Sequence, residues 1–225
     1  MGSTRLPGKV MMPLGDRTVL GHVLARCKSI KSADAVCLAT STLVQDDAVA
    51  EEGHRDGVTV FRGDESDVLS RYYEAARRLG ADEILRVTAD CPLIDPQVCD
   101  AVIATRRNAH VDYACNFSPK SFPHGLDCEA FTMDALRRAQ ENSNSAYQRE
   151  HVTVWLFESA IVSRANLLNE GPDASRHRWT LDTREDYCFL SKVFSDYLGT
   201  DSSTDWRELL HRIEAQSPLS EQSAS

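Results

Sequence analysis

Apolar and polar residues follow each other along the first half of the chain in two alternating patterns. Short apolar runs typical of buried strands lie at 34–40, 58–61, 83–88 and 112–117. Apolar residues at helical spacing lie before or between these runs, at 17–30, 43–55, 65–80 and 95–107. Strands that alternate with helices predict an α/β domain with a largely parallel sheet, whose binding sites lie beyond the carboxyl ends of the strands.

Two of the predicted helices have residues at their ends that favour a boundary. Asp16 stands just before the first helical segment, where a carboxylate can accept hydrogen bonds from free backbone N–H groups. Gly80 follows the third segment and suits the left-handed backbone that ends many helices. We therefore expect Asp16 to cap the first helix and Gly80 to end the third.

The second half of the chain has a less regular pattern. Strands are predicted at 126–132, 160–168 and 176–181, the last leading into a turn. Helices are predicted to begin at 134 and to cover 149–157 and 184–198. The strand ends at 181 and 88 place two aspartates, Asp182 and Asp90, in turns that follow strands.

The composition narrows the class of protein. Of the 225 residues, 42% are hydrophobic and 26% are charged, which predicts one globular domain over 1–216 and a flexible polar tail at 217–225. The net charge of −9 argues against nucleic-acid binding, which needs many cations to neutralise phosphates. No run of about 18 apolar residues and no leader of cationic then apolar residues occurs, so neither membrane insertion nor secretion is expected.

The cysteines of the chain are odd in number and stand mostly in apolar stretches. This arrangement predicts reduced core residues of a cytoplasmic protein rather than a disulfide framework. The seven positions are 27, 37, 91, 99, 115, 128 and 188.

The stretch MGSTRLPGKV at the start of the chain combines small residues with two cations, Arg5 and Lys9. Such a loop is typical of one that wraps a polyphosphate, because backbone N–H groups and cations together hold phosphate oxygens. It is not a Walker A motif, since the spacing GxxxxGK[ST] is absent. The alternative is that both cations are exposed charges on a flexible end.

Asp90 and Asp182 are the candidate metal ligands. Two acids that converge from strand ends suit Mg²⁺, which takes one or two carboxylates together with phosphate oxygens and water. The alternative is that each aspartate is a turn residue or a helix cap. Combined with the cationic loop, however, the pair provides what nucleotidyl transfer requires, namely groups that hold phosphates and a metal that neutralises developing charge.

Seven segments in chain order carry a family resemblance: MGSTRLPGKVMMPLG, LATST, VFRGDESDVLSRYYEAA, RVTADCPLIDP, FPHGLDCEAF, REHVT and RWTLDTRED. They cover roughly residues 1–197 and resemble the cytidylyltransferases of the spore coat polysaccharide biosynthesis protein F family, which is related to the CMP-Kdo and CMP-sialate synthetases. The resemblance implies a glycosyltransferase-A-like α/β fold, use of CTP with Mg²⁺, and attack by a sugar-acid hydroxyl on the α-phosphorus with release of pyrophosphate. It also implies a homodimer, with 119–160 as the contact segment.

The resemblance implies roles for individual residues on the nucleotide side. Ser3, Arg5 and Lys9 match positions on the triphosphate, and Thr40 and Ser41 match positions near the nucleoside. The residues that match the lining of the base pocket are Arg62, Asp67, Val68 and Arg71. For two of these an alternative stands: Val68 as a core residue, and Asp67 with Arg71 as a surface ion pair at i,i+4.

Further roles concern the metal and the acceptor. Asp90 and Asp182 match the metal-binding acids, and Cys91 matches a residue expected to pack beneath them. The residues expected to face a small acidic acceptor are Asp127, Glu129, Glu150 and His151. For His151 a structural role is the alternative to a base.

The chain departs from the family pattern in three places. The pattern has an apolar strand immediately before the cationic loop, and a chain without it is expected to bind CTP weakly, because a sheet member would be lost and the loop would hang from a free end. His124 stands where the pattern more usually has Asp, which puts the acceptor's identity in doubt. Arg184 stands where Pro is common.

Three functions are compatible with the sequence. The first is an enzyme that makes a CMP-activated sugar acid or a related acid. The second is cytidylyl transfer to a phosphonate or another non-sugar acceptor, and the third is a non-catalytic nucleotide-binding homologue. A glycosyltransferase that consumes a nucleotide sugar is disfavoured, because the DxD pair that such enzymes often use is not evident near residue 90.

Overall fold

The computed structural model of the chain describes residues 1–198 and 204–215, so the predicted tail at 217–225 lies outside the described residues. The strands are β1 (Pro13–Leu14), β2 (Arg17–Thr18), β3 (Cys37–Ser41), β4 (Thr59–Gly63), β5 (Glu83–Arg86), β6 (Tyr113–Cys115), β7 (Glu129–Thr132) and β8 (Arg164–Asn166). The α-helices are α1 (Val19–Cys27), α2 (Asp47–Arg55), α3 (Val68–Leu79), α4 (Pro96–Ala109), α5 (Met133–Asn142), α6 (Ala146–Glu150), α7 (Val154–Glu158), α8 (Arg184–Val193) and α9 (Trp206–Ala215). Shorter turns of 3-10 type are Lys9–Met11 and Val44–Asp46, and Phe194–Leu198 is a π-helical turn.

The six strands β3 to β8 form two sheets. β3 and β4 pair in parallel, with Ser41 opposite Gly63 at their carboxyl ends. A four-stranded sheet has the order β5-β7-β6-β8, in which β7 is antiparallel to β5 and to β6 while β8 is parallel to β6. β5, β6 and β8 therefore run in one direction and only β7 opposes them, and the predicted α/β fold class with flanking helices is confirmed.

The helix α3 shows how the sequence dictates an element of this fold. Asp67 caps its first turn by accepting a hydrogen bond from the Ser70 N–H at 2.9 Å. Leu69 and Ala76 lie on its buried face. They belong to a cluster of buried side chains that also contains Ala135 and Leu136 of α5 and is called the second hydrophobic cluster. Gly80 ends the helix in the left-handed conformation, with φ 63°, as the sequence predicts.

The cap of α1 differs from the prediction. Thr18, not Asp16, caps this helix, because the Thr18 hydroxyl accepts from the Gly21 N–H at 2.9 Å. The same hydroxyl donates to Glu52 of α2 at 2.6 Å and so joins the two helices. Asp16 lies instead in the turn between β1 and β2, a short antiparallel hairpin that the sequence pattern does not reveal.

Three predictions for the second half are corrected. The helix expected over 149–157 is divided into α6 and α7, since Val152 adopts a positive φ of 54° between them. Residues 176–181 do not form a strand; their one ladder contact is an isolated parallel bridge between His124 and Arg178. The helix α9 was not predicted at all, although Trp206 at its start is buried.

Buried side chains join several helices in one hydrophobic cluster, called the first hydrophobic cluster. The first hydrophobic cluster joins α1, α4, α8 and α9, and Trp179 lies within it at 1% exposure. Asp95 strengthens the contact of α4 with α9, because one carboxylate oxygen caps α4 and the other accepts from the Trp206 N–H at 3.1 Å. Among residues 1–198 and 204–215, no helix combines the length and apolar character that crossing a bilayer requires.

Candidate active site

Lys9 lies at the centre of the candidate site. Gly8 adopts a positive φ of 70°, which turns the N-terminal loop into the short helical turn that begins at Lys9. The Lys9 ammonium donates to Asp90 Oδ2 at 2.6 Å and to Asp182 Oδ1 at 2.8 Å. Three segments that are far apart in the sequence, the loop and the two aspartate turns, therefore meet at one nitrogen atom.

Asp90 and Asp182 are brought together by the backbone as well as by Lys9. The Leu181 N–H donates to the Asp90 carbonyl oxygen at 2.8 Å, which places the two turns side by side. Asp182 itself stands at the start of α8, immediately before the N-cap Thr183. Its position thus comes from this hydrogen bond and the helix start, and not from a strand over 176–181.

Cations surround the Asp182 carboxylate on both oxygens. Arg5 reaches Oδ1 at 3.0 Å, and Arg178 reaches Oδ2 at 2.6 Å. Burial favours the neutral acid, but hydrogen bonds from Lys9 and Arg178 outweigh it and lower the pKa of Asp182 to about 2. The carboxylate is therefore ionised at neutral pH.

The ammonium of Lys9 is likewise charged. Burial lowers the pKa of Lys9, but its hydrogen bonds to Asp182 and Asp90 outweigh this effect, so the pKa lies above the ordinary value of 10.5. Its side chain is 14% exposed. A partly buried cation between two anions forms a site of strong and opposed charges.

Arg178 and Asp186 form a clamp that holds Asp182 from behind. The Arg178 guanidinium donates to both Asp186 oxygens, at 2.9 and 3.2 Å. Asp186 also accepts from the backbone N–H groups of Asp182 and Thr183, at 2.8 and 2.9 Å. The sequence reasoning missed both clamp residues, although their spacing of four residues on either side of Asp182 is a usable signal.

Cys91 lies directly under the aspartate pair. Its thiol is 3.2 Å from the Thr88 hydroxyl oxygen and 3.7 Å from the Thr180 hydroxyl oxygen. Burial raises the pKa of Cys91 to about 12, so its thiol is neutral at pH 7. This position matches the expectation that Cys91 packs beneath the metal-binding turn.

The predicted triphosphate and nucleoside residues lie at the end of β3 and in the N-terminal loop. The Ser3 hydroxyl accepts from the Leu6 N–H at 3.3 Å and so shapes the loop. Thr40 and Ser41 are buried at the end of β3, where the Ser41 hydroxyl donates to Asp46 at 2.5 Å.

The four predicted base-pocket residues gather at the end of β4 and the start of α3. Arg62 donates to the carbonyl oxygens of residues 41 and 43, at 2.8 and 2.9 Å, and fixes the turn after β3. Asp67 pairs with Arg149 of α6 at 2.5 Å, not with Arg71, so the i,i+4 alternative is wrong. Arg71 donates instead to the Asp64 carbonyl oxygen at 3.1 Å. Val68 is partly buried against the second hydrophobic cluster.

The predicted acceptor residues fall into separate places. Asp127 Oδ2 lies 2.6 Å from His124 Nδ1, on the segment that bridges to Arg178. Glu129 is only 3% exposed, and both of its oxygens are occupied inside the sheet. Glu150 and His151 are exposed at the end of α6, the helix whose Arg149 holds Asp67.

The segment with His124 and Asp127 is pressed against the segment that leads to Asp182. Gly125 has a φ of 114°, and a Cβ there would lie 2.6 Å from the carbonyl carbon of Trp179. The His124 N–H also donates to the His177 carbonyl oxygen at 2.8 Å. Asp127 thus belongs to the Asp182 side of the molecule, whereas Glu150 and His151 belong to the Asp67 side.

The donor set of the aspartate pair fits a hard divalent cation. Two carboxylates from different turns converge there, and carboxylate oxygens are the ligands that such cations prefer. Within the described ranges, no group of three or more His, Cys, Asp or Glu side chains could hold a metal alone. A cation bound by Asp90 and Asp182 would need further oxygens from phosphate or water, as Mg²⁺ commonly does.

A cavity of about 340 Å³ lies elsewhere, between β6, β8 and α7. Tyr113, Phe157 and Arg164 are among the residues that line it. None of the residues predicted for the site lines this cavity. The candidate site is therefore defined by the charged side chains that meet at Lys9, Asp90 and Asp182, and not by a cavity.

The chain is similar in sequence to several known proteins. Residues 1–215 match the family described as Cytidylyltransferase. An uncharacterized protein of Methanocaldococcus jannaschii is 38% identical over 205 residues, which cover 89% of this chain and 83% of that protein. Spore coat polysaccharide biosynthesis protein SpsF of Bacillus subtilis is 34% identical over 205 residues, covering 86% of this chain and 82% of that protein.

Solved structures show the same fold. A cytidylyltransferase from Leptospira borgpetersenii superposes with a TM-score of 0.90 at 32% identity, covering 100% of this chain and 94% of that one. The CMP:2-keto-3-deoxy-manno-octonic acid synthetase complexed with CTP superposes with a TM-score of 0.65 at 17% identity, covering 88% and 95%. At that identity the second likeness concerns the fold alone.

Proposed function

The chain belongs to the cytidylyltransferase family, and on that premise we propose that it transfers CMP from CTP to a hydroxyl of a sugar acid or a related acid. It is an enzyme of the CTP-dependent nucleotidyltransferase class. The finer parts of the proposal are the acidic acceptor, the need for Mg²⁺ and the roles of individual residues.

One observation carries the proposal. Asp90 and Asp182, which are 92 positions apart in the sequence, both accept hydrogen bonds from the Lys9 ammonium, and Arg5 adds a second cation from the same loop. A cationic loop that faces two converging carboxylates supplies groups for both a triphosphate and its metal ion. A purely structural ion cluster does not need cations from a glycine-containing loop that lies at the strand ends.

The reaction needs one bond to form and one to break. The acceptor oxygen attacks the α-phosphorus, and the bond to the bridging oxygen of the β-phosphate breaks, so that pyrophosphate leaves with the bonding electrons. The acceptor hydroxyl loses its proton to water. Arg5 and Lys9 would bind the triphosphate and stabilise the charge on the leaving pyrophosphate, because phosphoryl-type transfer depends mainly on alignment and electrostatics.

Asp90 and Asp182 would hold Mg²⁺, which supplies charge neutralisation on the phosphate oxygens when it is bound. The clamp of Arg178 and Asp186 would keep Asp182 in the orientation that faces Lys9. Ser3, Thr40 and Ser41, together with the residues at the end of β4, would bind the nucleotide.

An acidic acceptor is supported by the charges beside Asp127. Lys120 Nζ lies 3.4 Å from His124 Nδ1, so two basic side chains adjoin the segment that bridges to Arg178. The name of one relative, a spore coat polysaccharide biosynthesis protein, points to polysaccharide synthesis. Asp127 would orient the acceptor, with Glu150 and His151 closing the other side.

We also propose a cytoplasmic homodimer. All seven cysteines are free thiols, which agrees with a reducing compartment. Tyr147 and Phe157 of the segment 119–160 expose 61% and 41% of their surface, as residues at a subunit contact do in the isolated chain. Light scattering on the purified protein measures the mass directly.

Pyrophosphate release tests the proposed function. The protein is assayed with CTP, UTP, ATP and GTP against 3-deoxy-manno-octulosonate, sialate and an alkyl phosphonate, each with and without Mg²⁺. We expect turnover with CTP, Mg²⁺ and a sugar acid. Turnover only with the phosphonate would show that the acceptor is a phosphonate and not a sugar acid. CTP binding without turnover on any acceptor would favour a non-catalytic protein.

A further inference from the structure

The Lys9 ammonium is bound to the same two carboxylate oxygens that converge from the aspartate turns. Its nitrogen atom is 2.6 Å from Asp90 Oδ2 and 2.8 Å from Asp182 Oδ1. These distances are those of strong charge-assisted hydrogen bonds. A cation that bridges the same pair of oxygens must therefore displace Lys9.

The charges around the pair balance without any divalent cation. Three cations, Lys9, Arg5 and Arg178, are paired with three carboxylates, Asp90, Asp182 and Asp186. A dication entering this cluster alone would meet the positive charge of Lys9 at the shortest range, where Coulomb repulsion is strongest. It would also have to move an ammonium that is mostly shielded from water.

A polyphosphate changes this balance. Lys9 and Arg5 come from the same loop, and both carry long flexible side chains that can turn from a carboxylate to a phosphate oxygen. Once Lys9 and Arg5 donate to phosphate, Asp90 Oδ2 and Asp182 Oδ1 are both free for a metal ion. The phosphate oxygens supply the remaining ligands that a pair of aspartates lacks.

We propose that Lys9 is the resident counter-ion of Asp90 and Asp182, so that the protein takes up a divalent cation together with a polyphosphate and only weakly without one. This inference rests on the proposed function and specifies how its metal site is filled. Binding of the metal and of the nucleotide is then coupled, and the coupling is reciprocal.

Metal affinity in the absence of nucleotide tests this proposal. The probe is Mn²⁺, measured by electron paramagnetic resonance on the full chain. The variants are Lys9→Met, which removes the charge and keeps an unbranched side chain, and Lys9→Arg, which keeps the charge. The matched control is Lys28→Met, because Lys28 also pairs with an aspartate, Asp56, away from the site.

We expect Lys9→Met to bind Mn²⁺ about tenfold more tightly than the wild type, within the usual range of coupling between sites. Lys9→Arg and Lys28→Met should stay close to the wild type. Adding Asp90→Asn to Lys9→Met should abolish the gain, which locates the ion at the aspartate pair. Thermal unfolding checks that each variant is folded, and Lys9→Gln replaces Lys9→Met if that variant is not.

Equal Mn²⁺ affinities of the wild type and folded Lys9→Met would overturn the proposal. A gain that persists with Asp90→Asn would overturn it as well, because the ion would then be bound elsewhere. These outcomes differ from a failure of the proposed function. Lack of CTP turnover in the wild type would refute the function, whereas the Mn²⁺ measurement involves no nucleotide.

Discussion

Two clusters in this molecule contain arginine and carboxylate partners yet differ in what surrounds them. In the four-stranded sheet, Glu129 of β7 stands opposite Arg86 of β5 and accepts from it and from the Tyr113 hydroxyl, each at 2.6 Å. In the candidate site, Asp182 accepts from Lys9, Arg5 and Arg178, which belong to the N-terminal loop and to the approach to α8.

The difference lies in how the partners are fixed. The register of β5 and β7 sets the pairing of Arg86 with Glu129, and Glu129 is 3% exposed. The partners of Asp182 include loop side chains that a ligand can draw away, and its side chain keeps 17% exposure. Ion pairs whose partners are fixed by the strand register stabilise the fold. Ion pairs between loops, in contrast, contain charges that can change partner when a ligand binds.

Glu129→Gln should have the largest effect, a fall in the stability of the folded protein. This change leaves the Arg86 guanidinium without its counter-charge inside the sheet. Removing one partner of a buried ion pair costs about 3–5 kcal/mol, so the free energy of unfolding should fall by roughly that amount in urea titrations. Lower turnover with unchanged stability would show instead that Glu129 faces the acceptor, as the sequence predicts.

For Asp90→Asn the large effect is expected in catalysis. The amide keeps the size of the side chain but loses the charge that would hold the metal, and one preorganised electrostatic contact is worth about 3 kcal/mol in the transition state. CTP-dependent pyrophosphate release should fall roughly a hundredfold or more. The control is Asp34→Asn, at an exposed aspartate outside the site. Equal losses of activity in both variants would show that Asp90 does not act in the site.

The pH dependence of stability should sharpen the comparison. The pKa of Asp182 in the folded protein is about 2, below its ordinary value of 3.8. Its stabilising contribution is therefore complete above pH of about 4 and is lost as the pH falls toward 2, an effect of about 2 kcal/mol. Asp182→Asn should flatten the unfolding free energy between these pH values, and a curve parallel to the wild type would contradict the assignment.

The smallest of these effects is expected for Arg178→Met. The guanidinium of Arg178 is partly exposed and acts on the reaction only through Asp182. A loss of about 1.4 kcal/mol corresponds to about a tenfold fall in kcat/KM. The value of kcat should carry most of the fall, while Arg176→Met, at an exposed arginine paired with Glu214, should leave both constants unchanged. An unchanged kcat in Arg178→Met would show that the clamp has no positioning role.

The sequence predicts the first half of this fold well, because each element there is regular in its own pattern. α3 is the clearest case: its helical spacing and its end at Gly80 agree with the prediction. β5 and α4 likewise begin within one residue of the predicted positions. The roles of the nucleotide residues remain predictions, although the structure gathers them at the strand ends.

The second half could not be predicted as well, since its shape depends on contacts between distant segments. The stretch 176–181 has the composition of a strand, yet only a few backbone hydrogen bonds, to His124 and Asp90, hold it in place. The family resemblance assigns Glu129 to the acceptor side, and no pattern within one strand reveals that Arg86 lies opposite. α9 is anchored by Asp95, more than a hundred residues earlier, and local spacing does not show this.

The tight contact at Gly125 has a consequence for attempts to redesign what this enzyme accepts. No side chain fits at that position, because even a methyl group would collide with the backbone of residues 179 and 180. If Asp127 orients the acceptor as proposed, a library aimed at new acceptors should keep this glycine and vary its neighbours, His124 and Asp127. A side chain at Gly125 would instead force the backbone of residues 179 and 180 to shift.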